Sequence, residues 1–187
     1  MTNYNLQNAD PDKLIKTQSY KSAKLTLHSL HKTSVVTKTT ILADISGSMS
    51  GHKLSCLKDA LHKVWRPGIA GIAFNNAVWS FNEQDISQLS VSGTTKMLEA
   101  LREAWQLNPG HIVLLTDGFA DSGANRVLNV VAIHPQPPID TIGIGDYDKD
   151  LLRRIAELTG GRFMDVNDPI QLSQTLQKLL DYRPNSL

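Results

Sequence analysis

Short apolar runs alternate with amphipathic segments along most of the chain, and together they predict a mixed α/β fold. Six apolar runs, several of them rich in β-branched residues, predict strands at 39–43, 69–74, 77–81, 111–116, 139–144 and 162–166. Apolar residues at spacings of three and four predict helices at 54–64, 97–105, 151–158 and 168–180. Strands that alternate with helices are typical of an α/β domain whose sheet is mostly parallel.

Two segments depart from this simple alternation. The second and third strands are joined directly at Asn75 and Asn76, and asparagine tolerates positive φ, so a tight hairpin is expected there. The third strand should then be an antiparallel edge of the sheet. Residues 127–133 fit either a helix or a strand by their apolar pattern. Connectivity favours the helix, because neighbouring parallel strands need a crossover between them.

The residues before the first strand of this series carry a different pattern. We expect residues 1–24 to be an N-terminal extension and residues 25–187 to form a single domain. Residues 24–28 alternate in the manner of a further strand. Residues 13–38 contain six lysines and no acidic residue. This run favours a solvated face or tail, with a docking site for an acidic partner as the alternative.

Composition and charge exclude several classes of function. The 187 residues are 41% hydrophobic and 20% charged, which is ordinary for a soluble globular domain. A net charge of +1 gives no general reason to expect a nucleic acid or a membrane as partner. The single cysteine, Cys56, excludes an internal disulfide, and neither a signal-peptide core nor an apolar run of transmembrane length occurs. A cytoplasmic location is therefore the expectation.

Candidate chemistry is concentrated where the first buried strand ends. Asp44 follows this strand, and Ser46 and Ser48 come at alternate positions before a helical segment. Gly47 and Gly51 allow the connecting loop to turn tightly enough to aim these side chains at one point. A carboxylate with neutral hydroxyls is a set of hard oxygen donors that Mg²⁺ accepts in its octahedral shell. The stretch predicts a metal site if other segments supply further ligands.

Two later segments offer those ligands. Asp117 follows a second buried strand, and Thr94 and Thr95 lie in a loop just before a helical segment. In an open parallel sheet such loops meet outside the carboxyl ends of neighbouring strands, where ligands usually bind. We expect the side chains of Asp117 and Ser48 to point out of the strand ends into a solvent-facing cleft at that edge of the sheet.

These three elements, in this order, resemble those of a von Willebrand factor A (VWA) domain with a metal-ion-dependent adhesion site (MIDAS). The Asp-x-Ser-x-Ser motif of that family corresponds to residues 44–48, its Gly-x-Thr element to residues 93–95 and its Asp-Gly pair to residues 117–118. The similarity extends over about residues 38–182. Many members have a second glycine where this chain has Thr94, so the chain departs from the family pattern there.

The resemblance implies a fold and a metal site. The fold is a three-layer, Rossmann-like arrangement around six mainly parallel strands in the order 3-2-1-4-5-6, with one antiparallel edge strand. Five residues would form a site for Mg²⁺ or Mn²⁺: Asp44, Ser46, Ser48, Thr95 and Asp117. In the family the hydroxyls coordinate directly or through water, and the aspartates mostly orient the ligands. We choose Thr95 over Thr94 because its spacing to the following helix fits the family.

The resemblance also implies non-enzymatic, metal-dependent protein binding, in which an Asp or Glu of the partner completes the coordination of the metal. Two other classes remain as alternatives. A metal-dependent hydrolase or phosphotransferase needs a general base, and the sequence near the motif offers no obvious one. A scaffold subunit of an AAA+ ATPase or a stress-response system, with a vestigial site, would bind its partner equally well in EDTA.

A second acidic run requires an interpretation of its own. Asp146, Asp148, Asp150 and Glu157 have the spacing of positions 1, 3, 5 and 12 of a calcium-binding EF-hand loop. Position 6, however, is Leu151 where the sharp turn needs glycine, and the apolar helical pattern begins there. Acidic residues at a helix N-terminus are stabilised by the helix dipole, and we favour this interpretation.

Overall fold

The structure is a computed structural model that describes residues 39–181. Its six strands are β1 Thr39–Asp44, β2 Ile69–Phe74, β3 Val78–Phe81, β4 Ile112–Thr116, β5 Ile139–Ile144 and β6 Phe163–Val166. The α-helices of this range are α1 His52–Val64, α2 Met97–Gln106, α3 Ala124–Ala132, α4 Lys149–Thr159 and α5 Leu172–Asp181. The predicted N-terminal extension, the strand at 24–28 and the lysine-rich run lie outside the described residues, and the domain boundary at residue 25 stays a prediction.

The strands form one sheet in the order β3-β2-β1-β4-β5-β6. β1 pairs in parallel with β2 and β4, and β5 pairs in parallel with β4 and β6. β3 alone among them is antiparallel, along the outer edge of β2. The predicted fold class, strand order and antiparallel edge are thus confirmed. Because β1 and β4 are central neighbours, the segments that follow them leave the sheet side by side.

Helices cover both faces of this sheet and complete three layers. On one face, Leu57 and Leu61 of α1 and Leu176 of α5 belong to the same buried cluster as Ile41 of β1. On the other face, α2, α3 and α4 contribute to a cluster that includes Leu42 of β1. Successive side chains of a strand point to opposite faces, so a strand covered on both sides is apolar at every position. No helix within residues 39–181 is long and apolar enough to cross a bilayer.

The predicted hairpin between β2 and β3 forms, although its turn is held differently from the expectation. Oδ1 of Asn75 accepts a hydrogen bond from the backbone N–H of Ala77 at 2.8 Å. Among the described non-glycine residues, positive φ occurs at Asn108, where φ is 47°, and at neither Asn75 nor Asn76. Asparagine suits this turn because its side chain bonds the backbone two residues on, and not because it adopts positive φ.

Two helices show the structure of the segments that the sequence left open, residues 127–133 and the acidic run at 146–157. Residues 124–132 are helical and join β4 to β5, as the need for a crossover predicts. The acidic run begins α4, where Asp148 is the N-cap and accepts from the N–H of Leu151 at 3.0 Å. A carboxylate that caps a helix in this way satisfies an N–H that the helix leaves without a partner, which agrees with the helix N-terminus interpretation.

Candidate metal centre

The five predicted site residues lie at the carboxyl edge of the two central strands. Asp44 ends β1, and the loop after it carries Ser46 and Ser48 through a short 3₁₀ turn. Asp117 follows β4, which pairs with β1. The loop before α2 brings Thr95 to the same edge. The three segments meet because they leave neighbouring strands on the same side of the sheet.

Asp44 is fully buried at the base of this cluster. Its Oδ1 accepts from the N–H of Ser46 at 2.8 Å, and its Oδ2 accepts from the hydroxyl of Thr116 at 2.5 Å. Burial raises the pKa of Asp44; hydrogen bonds from Thr116 and from the backbone and side chain of Ser46 oppose that shift, and the nearby charge of Asp117 adds to it. None of the ion pairs within residues 39–181 includes Asp44. A buried carboxylate without a cation is costly, so the site favours the entry of one.

Ser46, Ser48 and Asp117 form a row of hydrogen bonds beside Asp44. The two serine Oγ atoms are 3.1 Å apart, and the Ser48 hydroxyl donates to Asp117 Oδ1 at 2.7 Å. Ser46 is buried, whereas Ser48 is exposed. Neighbouring oxygens around an octahedral Mg²⁺, with bonds of about 2.1 Å, are separated by about 3.0 Å. The spacing of the serine oxygens is therefore suitable for two positions of one coordination shell.

The two candidate threonines face different partners. Thr95 is buried, and its Oγ1 lies 3.1 Å from the position that a Cβ would take on Gly118. Oδ2 of Asp44 lies 3.7 Å from the same position. Thr94 is exposed, and its hydroxyl donates to Asp121 Oδ2 at 3.4 Å. Thr95 is thus the threonine that approaches Asp44, and Thr94 lies on the rim.

Two glycines permit the close approach of these loops. Gly93 has φ of +66°, and a Cβ on it would lie 2.7 Å from the side chain of Asn76. Its carbonyl accepts from the N–H of Gly47, which ties the threonine loop to the serine loop at 3.2 Å. At Gly118 a methyl group would enter the gap bordered by the threonine and aspartate oxygens described above. The absence of a side chain at Gly118 keeps that gap open.

Lys53 is a site residue that the sequence analysis missed. It is the second residue of α1, and its Nζ lies 2.5 Å from Asp117 Oδ2 and 3.4 Å from the backbone oxygen of Ser48. The side chain of Asp117 is 0% exposed, so the expectation of a solvent-facing cleft is wrong for this residue. The physical reason is that the lysine folds back from the first turn of its helix and covers the carboxylate. The available signal was its position in the first helical turn after the motif loop.

The donor set fits a hard divalent cation. Two carboxylates and three hydroxyls come from the five site residues, while the described residues contain no cluster of three or more His, Cys, Asp or Glu side chains. Zn²⁺ sites are usually built from nitrogen and sulfur ligands, whereas Mg²⁺ takes oxygens, including those of water. The charge of Lys53 offsets that of one aspartate, which leaves one negative charge at the centre for an incoming ion.

Comparison with known proteins identifies the family of the chain. The von Willebrand factor type A domain family matches residues 38–82 and 79–165. Inter-alpha-trypsin inhibitor heavy chain H1 from Bos taurus is 28% identical over 182 residues, an alignment that covers 77% of this chain and 20% of that protein. The chain therefore spans about a fifth of the length of this relative.

Solved structures share the fold. A von Willebrand factor type A protein from Catenulispora acidiphila has a TM-score of 0.66 at 22% identity, with 75% of this chain and 41% of that chain covered. Proximal thread matrix protein 1 from the mussel byssus, solved with a zinc-occupied MIDAS motif, has a TM-score of 0.60 at 16% identity, with coverages of 76% and 44%. The family match extends over most of the chain, and the sheet has the expected strand order. The chain therefore belongs to the von Willebrand factor type A domain family.

Proposed function

We propose that the protein is a non-enzymatic module that binds a protein partner through Mg²⁺ or Mn²⁺. The observation that carries the proposal is the convergence of five oxygen-bearing side chains from three separate loops: Asp44, Ser46, Ser48, Thr95 and Asp117. The innermost of them, Asp44, is fully buried and belongs to no ion pair of the described residues. A cation bound among these oxygens would neutralise that charge.

The five residues would have two roles in binding the ion: the hydroxyls would coordinate it, and the aspartates would orient the groups that do. The hydroxyls of Ser46, Ser48 and Thr95 offer neutral oxygens, directly or through water. Asp44 fixes the serine loop through the backbone of Ser46, and Asp117 orients the hydroxyl of Ser48. Removal of groups that orient ligands in this way typically lowers metal affinity by about 10–100-fold. The bound ion would supply electrostatic attraction for an anionic oxygen outside the chain.

The partner chemistry follows from the charge of this ligand set. Mg²⁺ takes about six oxygens, and neutral hydroxyls with waters leave its positive charge only partly compensated. An Asp or Glu carboxylate of the partner would replace a water and gain most in a partly desolvated interface. Phe119, two residues after Asp117 and 60% exposed, is an apolar side chain available to a partner on the same loop.

The zinc-occupied MIDAS motif of the mussel protein supports a divalent metal at the corresponding edge of this sheet. We favour Mg²⁺ or Mn²⁺ over zinc here because every donor of the set is an oxygen. We also propose a cytoplasmic location, since a single cysteine without a disulfide partner suits a reducing compartment.

The hydrolase or phosphotransferase alternative has less support. A general base must lie within hydrogen-bond reach of the group that it deprotonates. No histidine within residues 39–181 is hydrogen-bonded to any of the five site residues. The basic group that does reach them, Lys53, is paired with Asp117. These surroundings suit a metal that attracts a ligand better than a metal that activates a nucleophile.

Direct metal binding tests the first half of the proposal. Titration of Mn²⁺ into the purified protein, followed by the electron paramagnetic resonance (EPR) signal of free Mn²⁺, should reveal one site. Saturating metal should also raise the melting temperature by mass action. Ser46→Ala should lose the site, whereas Ser55→Ala, on an exposed position of α1, should retain it. A wild-type protein that binds no Mn²⁺ at millimolar concentration would contradict the proposal.

Partner binding tests the second half. A pull-down from the native cell should recover the partner in Mg²⁺ and lose it in EDTA, and Asp117→Ala should lose it in both. Once the partner is known, its exposed acidic residues can be changed to amides one at a time, and one change should abolish binding. Recovery that is equal in EDTA favours the scaffold alternative. If every amide variant binds while EDTA abolishes binding, the metal only shapes the loops.

A further inference from the structure

Lys53 brings a positive charge into the candidate metal centre. Its Nζ is 2.5 Å from Asp117 Oδ2, while the other oxygen of that carboxylate accepts from Ser48. The Asp117 side chain is 0% exposed and the Lys53 side chain is 28% exposed, so water screens this pair only in part. Lys53 is therefore bonded to one oxygen of the carboxylate whose other oxygen accepts from Ser48.

The Lys53 ammonium and a divalent cation would both be stabilised by the negative charge of Asp117. A fixed positive charge a few ångströms from an incoming ion repels it, and it also removes part of the negative charge that attracts the ion. The effect is stronger where water is partly excluded. Lys58 lies on the same helix but has a different partner. Its ammonium donates to the carbonyl of Ser87 at 2.9 Å, and Ser87 is not one of the site residues.

We propose that Lys53 is a tethered counter-cation that lowers the affinity of this centre for divalent metal. The inference rests on the proposed metal function. By linkage, the metal then binds more tightly when a partner carboxylate adds negative charge, and the partner binds more tightly when the metal is present. With Lys53 in place, a given metal concentration therefore fills the centre less in the free protein than it would without the lysine.

Removal of Lys53 changes metal affinity in opposite directions under the two possible roles of this lysine, competition with the metal and orientation of Asp117. If Lys53 only positions Asp117, its removal releases the carboxylate and weakens metal binding. If Lys53 competes with the metal, its removal strengthens metal binding. The same change should lower the melting temperature in EDTA, because Asp117 is then buried without a cation. Added Mn²⁺ should restore that loss.

The experiment compares Lys53→Met with wild type and with Lys58→Met, which removes the same charge from the same helix. Mn²⁺ dissociation constants are measured at one pH and one ionic strength by the EPR signal of the free ion. We expect Lys53→Met to bind Mn²⁺ about tenfold more tightly than wild type, which corresponds to about 1.4 kcal/mol. Lys58→Met should bind as wild type does, and circular dichroism should show all three proteins folded.

The outcomes distinguish the two proposals. Tighter Mn²⁺ binding by Lys53→Met than by wild type, with Lys58→Met unchanged, supports the counter-cation. Equal or weaker binding by Lys53→Met, with wild type binding normally, overturns the counter-cation and leaves the metal function standing. Equal tightening in Lys58→Met also overturns it, because net charge alone then explains the effect. If neither wild type nor Lys53→Met binds, the metal function itself fails.

Discussion

Buried carboxylates lie at both ends of the central sheet, and their surroundings differ in one respect. At the amino end, Asp140 of β5 accepts from Arg162 at 2.8 Å to Nη2 and 2.6 Å to the backbone N–H, and lies 2.9 Å from Nε2 of His111. At the carboxyl end, the hydrogen bonds to Asp44 come from neutral groups, an N–H and a hydroxyl. Asp140 receives a cation from the chain itself, whereas the described chain supplies none to Asp44.

The pKa values of the two carboxyls shift in opposite directions for this reason. Burial raises the pKa of both. At Asp140 the hydrogen bonds from His111 and Arg162 outweigh burial, and the pKa is lowered. At Asp44 burial dominates, and the pKa is raised. We therefore assign Asp140, which has its cation, to the stability of the fold, and Asp44, which has no ion-pair partner among the described residues, to the candidate metal site.

The largest expected effect is loss of stability on removal of the charge at the amino end. Asp140→Asn should destabilise the protein by about 1.5–3 kcal/mol, because an amide cannot accept at both atoms the hydrogen bonds that the buried carboxylate accepts from Arg162 and His111. Urea denaturation at neutral pH measures this change. Asp165→Asn is the matched control, since Asp165 pairs with the half-exposed Lys149 and such pairs contribute about 0–1 kcal/mol. Equal losses in the two variants would show that burial does not distinguish the pairs.

Low pH should reduce the difference in unfolding free energy between wild type and Asp140→Asn. The folded state holds the pKa of Asp140 below its ordinary 3.8, so the unfolded chain takes up this proton more readily as pH falls. The stabilisation by Asp140 is therefore complete above the ordinary pKa and is lost as pH falls through the lowered one. Urea unfolding of both proteins at about pH 7 and about pH 3 measures the change. A difference that stays constant over that range would mean that Asp140 does not carry the charge.

The corresponding change at the carboxyl end, Asp44→Asn, should have a smaller effect on the stability of the metal-free protein. Asp44→Asn in EDTA should alter stability by no more than about 1 kcal/mol, because the amide oxygen can still accept from Ser46, the amide NH₂ can donate to the rotatable hydroxyl of Thr116, and an unpaired buried charge is removed. The same variant should no longer gain melting temperature from Mn²⁺. Thermal unfolding with and without metal tests both expectations. A loss in EDTA as large as that of Asp140→Asn would mean that Asp44 is structural too.

Among the effects on metal binding, the change at the threonines is expected to be smaller than the loss caused by Asp44→Asn, and it tests which threonine belongs to the carboxyl-end site. Thr95→Val should weaken Mn²⁺ binding by about 10–100-fold, the range found when groups around a metal are removed. Thr94→Val should leave binding unchanged, since its hydroxyl faces Asp121 on the rim. Mn²⁺ titration of both variants decides the assignment. A loss confined to Thr94→Val would reverse it.

Much of the fold could be predicted from local pattern. Strand and helix periods, the direct link at Asn75 and the need for a crossover at residues 127–133 predicted the element types that the structure has. The strand order came from the family resemblance carried by three short motifs. Those motifs also predicted which loops meet, because the carboxyl ends of neighbouring parallel strands share one edge.

Tertiary structure alone decided which charges find partners. The sequence determined the strands, the loops and the oxygen donors that follow them, since these depend on residues close together in the chain. It did not reveal that Lys53 reaches Asp117 across 64 positions, or that Arg162 reaches Asp140 across 22. Such pairs depend on how far a flexible side chain extends from its helix or strand and on what covers it. Neither quantity follows from the periodicity of the sequence. The difference between Asp140, which has a cationic partner, and Asp44, which has none among the described residues, therefore appeared only in the folded chain.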